Sequence, residues 1–579
     1  MSASFEQPRK IMEFDLAEVP FSRFGSYLAI DRLPANAERA AGIYVRTLHG
    51  DAPCTEICRV ELSQDGRTPP GDIRATPSLL RIEDGAEHLD ICFADENALR
   101  MRGNGIGLRL SFDFALYDNA LPWRGGWLIN SFSNRMRYAL FIRSGVVLRS
   151  ELIAAESRWV FDCIPDASGQ CEIALTETPS RWPQQNEVFA RDFSVCQRDV
   201  EREFKQWLQA TPSVPSEFAS ARELAAYVQW SSVVSAQGNF QRPAMLMSKH
   251  WLNAVWSWDH CFNALALFEQ HPSLAWDQLM LMFDRQNKCG ALPDCVSDKT
   301  IIWNFCKPPI HGLALQWMLR HGEITQAQLQ EIYTPLTRWT EWWLVERVDL
   351  RDQKRGDGLP QYFHGNDSGW DNASVFDARV PVQSPDLAAF LVLQMDALAE
   401  VAQRLEQPRA ARQWRGRADA LLGKMLTHFW LDTRFVSLHD HKPCDGDSLL
   451  LLLPIVLGER LPKTIQHALI AALKQENRFL TEHGLASESI SSPLYESDGY
   501  WRGPIWAPVV FLIVETLRAV GEKSFGDEIA RRFCTTVARG GMAENFDALT
   551  GAGLRDRAHT WTASVFLLLA HSLENIDRQ

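Results

Sequence analysis

Two acidic residues sit in settings suited to paired proton transfer. Asp371 closes the turn-rich stretch His364-Gly365-Asn366-Asp367-Ser368-Gly369-Trp370-Asp371-Asn372, just ahead of a helical pattern. The indole of Trp370 is a bulky apolar neighbour, and desolvation beside it favours a protonated carboxyl, the form a general acid needs. Glu544 lies in Met542-Ala543-Glu544-Asn545-Phe546-Asp547, before the glycine-rich Thr550-Gly551-Ala552-Gly553. Two carboxyls far apart in the chain suit hydrolysis of a glycosidic bond. One protonates the leaving oxygen; in the inverting version the other activates a water, and the pair stands roughly 6.5–9.5 Å apart to hold it. On spacing alone Asp371 equally suits a helix N-cap or an Asx-turn, and Glu544 a solvated surface acid.

Three further segments read as walls of a sugar site. Trp256-Ser257-Trp258-Asp259-His260-Cys261-Phe262 sets an acid among aromatics. Asn304-Phe305-Cys306-Lys307-Pro308-Pro309 stiffens a loop carrying a cation. Tyr500-Trp501-Arg502-Gly503-Pro504-Ile505-Trp506 groups two indoles and an arginine around a Gly-Pro turn. Aromatic surface with a few placed polar groups is what a small-molecule pocket needs, although each segment also suits helix-end packing. The 21 Trp of the chain point the same way, since flat apolar faces cover sugar rings. His439, Asp440, His441, Cys444, Asp445 and Asp447 have metal-ligand chemistry but no zinc or calcium-loop spacing, and they read as a polar surface loop. No metal site is expected.

Composition narrows the classes. The net charge is -13 and no Lys/Arg-rich run occurs, so a nucleic-acid partner is not expected. The longest apolar run, Leu449 to Leu457, falls far short of the roughly 18 residues that span a bilayer, and the N-terminal residues show no signal-peptide pattern. The 12 Cys are scattered, which suits buried free thiols in a reducing, cytoplasmic setting. Cys54 and Cys58 lie close together without a second ligand pair, so zinc is not expected there.

The elements that must position these residues fall into two blocks. Ile106, Leu108, Leu110, Phe112, Phe114 and Leu116 alternate with period two, the mark of a half-buried strand. Two hairpins are expected, Tyr138–Ile142 with Val146–Arg149 and Trp159–Ile164 with Cys171–Thr176. Residues 1–205 are therefore read as an antiparallel β-sandwich domain. Residues 206–216, with Pro212 and Pro215, are read as a linker. The rest, 217–579, is read as helical. Ser384-Pro385 opens a helix carrying Leu387, Phe390, Leu391, Leu398, Val401 and Leu405 on one face, and more helices are expected near 218–234, 262–270, 326–348, 410–429, 449–457, 464–475, 505–520 and 560–573.

Taken together, Trp258-Asp259, Lys307-Pro308-Pro309, Ser368-Gly369-Trp370-Asp371-Asn372, Gln383-Ser384-Pro385-Asp386-Leu387, Tyr500-Trp501-Arg502-Gly503-Pro504-Ile505-Trp506 and Glu544-Asn545-Phe546 resemble glycoside hydrolase family 63. They are similar, more loosely, to the trehalase family. The resemblance covers roughly residues 215–579. It implies a mainly α fold, an (α/α)6 barrel behind the β-sandwich, and an inverting mechanism without cofactor. It also implies Asp371 as general acid and Glu544 as general base. Trp258, Asp259, Lys307, Trp370, Trp501, Arg502 and Gly503 are then expected to line the pocket of the terminal sugar. The expected activity is exo-hydrolysis of an α-glucoside or small saccharide. An α-mannoside or a glycosylglycerate is the alternative, and no cation for a glycerate carboxylate is assignable. A phosphorylase would dispense with Glu544, and a non-catalytic carbohydrate-binding protein would tolerate loss of either carboxyl.

Overall fold

The computed structural model describes residues 12–37, 39–50, 55–348, 358–377 and 379–577. Cys54 lies outside them, and so does the start of the N-terminal segment that shows no signal-peptide pattern. The chain forms two compact units: Met1–Thr211 with Ala226–Ser235 and Ser248–Asn253, and the remainder.

The first unit holds two antiparallel sheets. One runs, edge to edge, Phe21–Ser22, Leu28–Leu33, Gly42–Thr47, Glu56–Ser63, Gly107–Asp113, Arg158–Ile164 and Val146–Ile153. The other runs Asn119–Trp123, Gly126–Ser131, Met136–Ser144, Gln170–Glu177, Ala98–Asn104, Glu87–Asp95, Leu80–Asp84 and Asp72–Ala75. The alternating stretch from Ile106 is the strand Gly107–Asp113, with Leu108, Leu110 and Phe112 buried. Both expected hairpins are corrected. Met136–Ser144 and Val146–Ile153 belong to different sheets, as do Arg158–Ile164 and Gln170–Glu177. Each short connection is a crossing from sheet to sheet. At the first crossing Gly145 has φ 102°, and a Cβ there would lie 2.6 Å from Cys171 Cβ, so the chain turns through a gap only glycine fits. The true hairpin is Val146–Ile153 with Arg158–Ile164, closed by the left-handed Ser157. The stretch expected as linker is partly ordered helix: Phe193–Ala210 continues to residue 210 before Pro212 stops it.

The second unit is helical, and its helices alternate in burial along the chain. Asp259–Leu267, His311–His321, Pro385–Arg404, Ala507–Ala519 and Thr560–Asp577 are apolar and buried on nearly all faces. The helices between them, Pro272–Met280, Gln326–Glu346, Pro408–Phe429, Lys463–Lys474 and Lys523–Gly540, bury one face. A helix apolar all round belongs to the interior, and a one-faced helix belongs outside it. Leu449–Arg460 is a 3-10 segment that includes Pro454, which has no backbone N–H to donate, and it is broken at Gly458, whose φ is 51°. Ser384 is extended as an N-cap should be, yet its hydroxyl donates to the Asp386 carboxylate and caps no backbone N–H. Among the described residues no helix is long and apolar enough to cross a membrane.

Candidate functional site

Every expected site residue precedes or begins one of the mostly buried helices. Trp258-Asp259 begins Asp259–Leu267, Lys307 leads into His311–His321, and Trp370-Asp371 lies upstream of Pro385–Arg404. Trp501-Arg502-Gly503 runs into Ala507–Ala519, and Glu544 lies upstream of Thr560–Asp577. The N-terminal ends of those helices carry partial positive charge, a favourable setting for carboxylates.

Three hydrogen-bonded ties fix the loops to one another. Asp367, buried, accepts from the backbone N–H of Cys306 (3.1 Å), Phe363 (2.9 Å) and His364 (3.2 Å), and from the Arg347 guanidinium (2.9 Å). This joins the Lys-Pro-Pro loop to the Asp371 loop. Asn372 donates to Gly499 O (3.0 Å) and accepts from Trp501 N–H (2.9 Å), joining the Asp371 loop to the Trp-Arg-Gly loop. Ile505 and Phe546 exchange backbone hydrogen bonds of 2.7 and 3.1 Å, joining that loop to the strand beside Glu544.

At the centre, the Lys307 ammonium lies 3.4 Å from Asp371 Oδ1 and 3.6 Å from Asp294 Oδ1, and donates to Asn366 O at 2.8 Å. Burial pulls its pKa down, but the charges of Asp371, Asp294 and Asp259 outweigh that and raise it, so it is a fixed cation. Asp259 is pushed up to about 8: burial is the main cause, Lys307 opposes it, and Asp371 and Glu544 add to it. Glu544 is pushed up to about 7 by burial and by the charge of Asp556, while a hydrogen bond from the Tyr500 hydroxyl pulls the other way. The Tyr500 phenol is raised well above its usual range by burial and by the charges of Glu544 and Asp371. Asp259, Asp371 and Glu544 therefore share one electrostatic environment.

Some expectations about the walls change. The Asp371 side chain is one-quarter exposed and faces Lys307, not an apolar cover. Trp370 instead lies 4.6 Å from Trp501 between ring centroids, and Trp501 stacks in parallel on Trp506 at 3.9 Å. Trp258, Trp370 and Trp501 are each at most 3% exposed, so they form packed walls and offer no open indole face. Arg502 holds Asp377 through both terminal nitrogens and donates from Nε to Asn372 O (2.9 Å), bracing the Asp371 loop. Gly503 is demanded by packing, because a Cβ there would lie 2.2 Å from Glu496 O. Gly369 has φ 73° and abuts the Trp258 ring.

Sequence reasoning missed Tyr500, Asp294 and Asp367 as site residues. Tyr500 was visible inside its motif. Its left-handed backbone (φ 62°), rare for a non-glycine residue, was not, and such strain gathers at functional sites. The loop from His439 pairs Leu438–His439 with Lys442–Pro443, and Asp447 is taken by Arg478 at 2.6 Å.

Comparison with known proteins gives this arrangement a family. The model of the mannosylglycerate hydrolase MGH1-like glycoside hydrolase domain matches residues 253–562, more than half of the chain. A mannosylglycerate hydrolase of Rubrobacter radiotolerans is 23% identical over 422 residues, covering 57% of this chain and 92% of its own. The crystal structure of the family 63 mannosylglycerate hydrolase of Thermus thermophilus in complex with Tris superposes with a TM-score of 0.53 at 18% identity, over 60% of this chain and 99% of that one. A bacterial glucoamylase complexed with acarbose aligns along 99% of this chain and 96% of its own, with a TM-score of 0.59 at 11% identity, a likeness of fold. The chain belongs to the mannosylglycerate hydrolase MGH1-like group of glycoside hydrolase family 63 and is a glycoside hydrolase.

Proposed function

We propose that this enzyme is an inverting, exo-acting hydrolase of an α-mannosylglycerate, with Asp371 as general acid and Glu544 as general base. The observation that supports the catalytic pair is the convergence of the Asp371 and Glu544 charges on both Asp259 and Tyr500, with Lys307 acting on Asp259 as well. The matching family model and the relatives favour the glycosylglycerate alternative over the plain α-glucoside expected from sequence. The alternation of buried and one-faced helices supports the finer reading of an (α/α)6 barrel, with the site at the N-terminal ends of the inner helices. Free and mostly buried thiols suit a cytoplasmic, reducing setting.

The chemistry follows from the charges. Asp371 acts from its protonated form, as a general acid must. As Asp371 gives its proton to the glycosidic oxygen, a carboxylate forms 3.4 Å from the Lys307 ammonium, which stabilises charge appearing only in the transition state. Glu544, ionised and held by the Tyr500 hydroxyl, takes a proton from water on the opposite ring face. Asp259, protonated at neutral pH, donates a hydrogen bond to a sugar hydroxyl. No cofactor takes part in these steps. The test is initial hydrolysis rate across α-mannosylglycerate, α-glucosylglycerate, simple α-mannosides and simple α-glucosides. Glycerate substrates should lead by orders of magnitude in kcat/KM; equal or faster turnover of simple glucosides overturns the aglycone assignment.

A further inference from the structure

Beneath the site lies a group of residues that the hydrolytic chemistry does not use. His260 and Cys261 occupy the first turn of Asp259–Leu267, and His311 begins His311–His321. All three are fully buried, and one ligand atom from each lies within 4.8 Å of the others.

Their hydrogen bonding is incomplete in a specific way. His260 Nδ1 lies 2.9 Å from Trp256 O. A carbonyl only accepts, so Nδ1 carries the hydrogen, and Nε2 of the neutral ring keeps its lone pair. That lone pair faces Cys261 Sγ at 3.7 Å. Among the described residues neither ring nitrogen of His311 has a hydrogen-bond partner. A buried polar group left unpaired is destabilising, so this pattern calls for a missing partner.

We infer that His260, Cys261 and His311 form a buried three-ligand site for a thiophilic d10 cation, Cu+ or Zn2+. Metal–sulfur and metal–nitrogen bonds of about 2.3 and 2.0–2.1 Å place sulfur and nitrogen about 3.6–3.8 Å apart in trigonal or tetrahedral geometry, as His260 and Cys261 stand. The Nδ1–H of His260 on a backbone carbonyl is the outer-shell bond that orients a ligating imidazole. On binding, the Cys261 S–H bond breaks, its proton leaves to water, and the sulfur bonds the ion. One thiolate and two neutral imidazoles cancel the charge of Cu+. With Zn2+ the same ligands leave one positive charge on the site. The ion pins together the two helices whose N-terminal ends present Asp259 and Lys307.

An interior site fills during folding, so the full chain is unfolded and refolded anaerobically with Zn2+, with Cu+, or with a chelator. Metal content is then measured by mass spectrometry after gel filtration. Retention of about one equivalent of one of the two ions per chain, with a higher Tm than the chelator-treated protein, is expected. Cys261→Ser and His311→Gln should each lose that ion while matching the metal-free parent by circular dichroism. If neither variant folds, Co2+ refolded into the parent chain should give a thiolate charge-transfer band. Less than about a tenth of an equivalent with either ion and no such band overturns the inference. So does equal metal content in the folded variants.

Discussion

Replacing Tyr500 with phenylalanine removes one hydroxyl from the most strongly coupled part of the site. That hydroxyl donates to Glu544, whose pKa of about 7 is the balance of burial and Asp556 raising it against Tyr500 and Arg555 lowering it. A hydrogen bond to a charged group is worth roughly 1.5–3 kcal/mol, and about 1.4 kcal/mol corresponds to one pKa unit. Partial replacement by water reduces the effect, so the Glu544 pKa should rise by about one unit, toward 8. As the proposed base Glu544 works ionised, so kcat/KM should fall tenfold for each pH unit below its pKa, and the acidic limb should move to higher pH. At pH 6 the variant should be about tenfold slower than the parent beyond any loss common to all pH values. The assay is kcat/KM from pH 5 to 9 on the best substrate. A limb that stays in place, or moves to lower pH, refutes the placement of Glu544 as the ionised base under Tyr500.

Other perturbations follow from the same geometry. Asp259 is raised from 3.8 to about 8, so the folded state holds a proton that the unfolded chain releases, and stability is lost as pH climbs from about 4 through 8. Asp259→Asn should therefore melt above the parent at pH 9, with the advantage shrinking toward pH 4; equal pH profiles of Tm would contradict it. Gly369→Ala forces a Cβ to 2.7 Å from the Trp258 ring at a left-handed φ, so Tm should fall, with about 1–2 kcal/mol from backbone strain alone. An unchanged Tm would show that the Trp258 contact is not rigid. Asp367→Asn takes the carboxylate away from the part-buried Arg347 guanidinium and should cost about 1.5–3 kcal/mol in denaturant unfolding. It should lower kcat without moving the pH limbs, because Asp367 braces loops and does not carry the reacting proton.

The long apolar patterns were legible. Leu387 to Leu405 predicted the helix that became Pro385–Arg404, since a buried helix writes its packing into every turn. The two hairpins were misread because a short turn signal does not say whether the next strand joins the same sheet; at the first of them Gly145 carries the chain across to the other. The helices Phe193–Ala210, Pro272–Met280, His311–His321 and Lys523–Gly540 were not anticipated, and His311–His321 follows directly on Pro308-Pro309, which reads as loop. The loops carrying the proposed carboxyls and Lys307 were legible through their motifs, and the structure ties those loops together. Their electrostatics were not: Trp370 suggested cover for Asp371, whereas the desolvated acids are Asp259 and Glu544. Asp367 gives no signal beyond a common turn residue, because its importance lies in four partners drawn from separate segments.

The most direct test is proton NMR of the sugar released from α-mannosylglycerate in the first seconds of hydrolysis, before mutarotation, with Asp371→Asn and Glu544→Gln alongside. Inversion by this pair predicts β-mannose as the first anomer and loss of turnover in both variants while they remain folded. If α-mannose appears first, or Glu544→Gln keeps its activity, the account of Asp371 and Glu544 as an inverting acid–base pair is wrong.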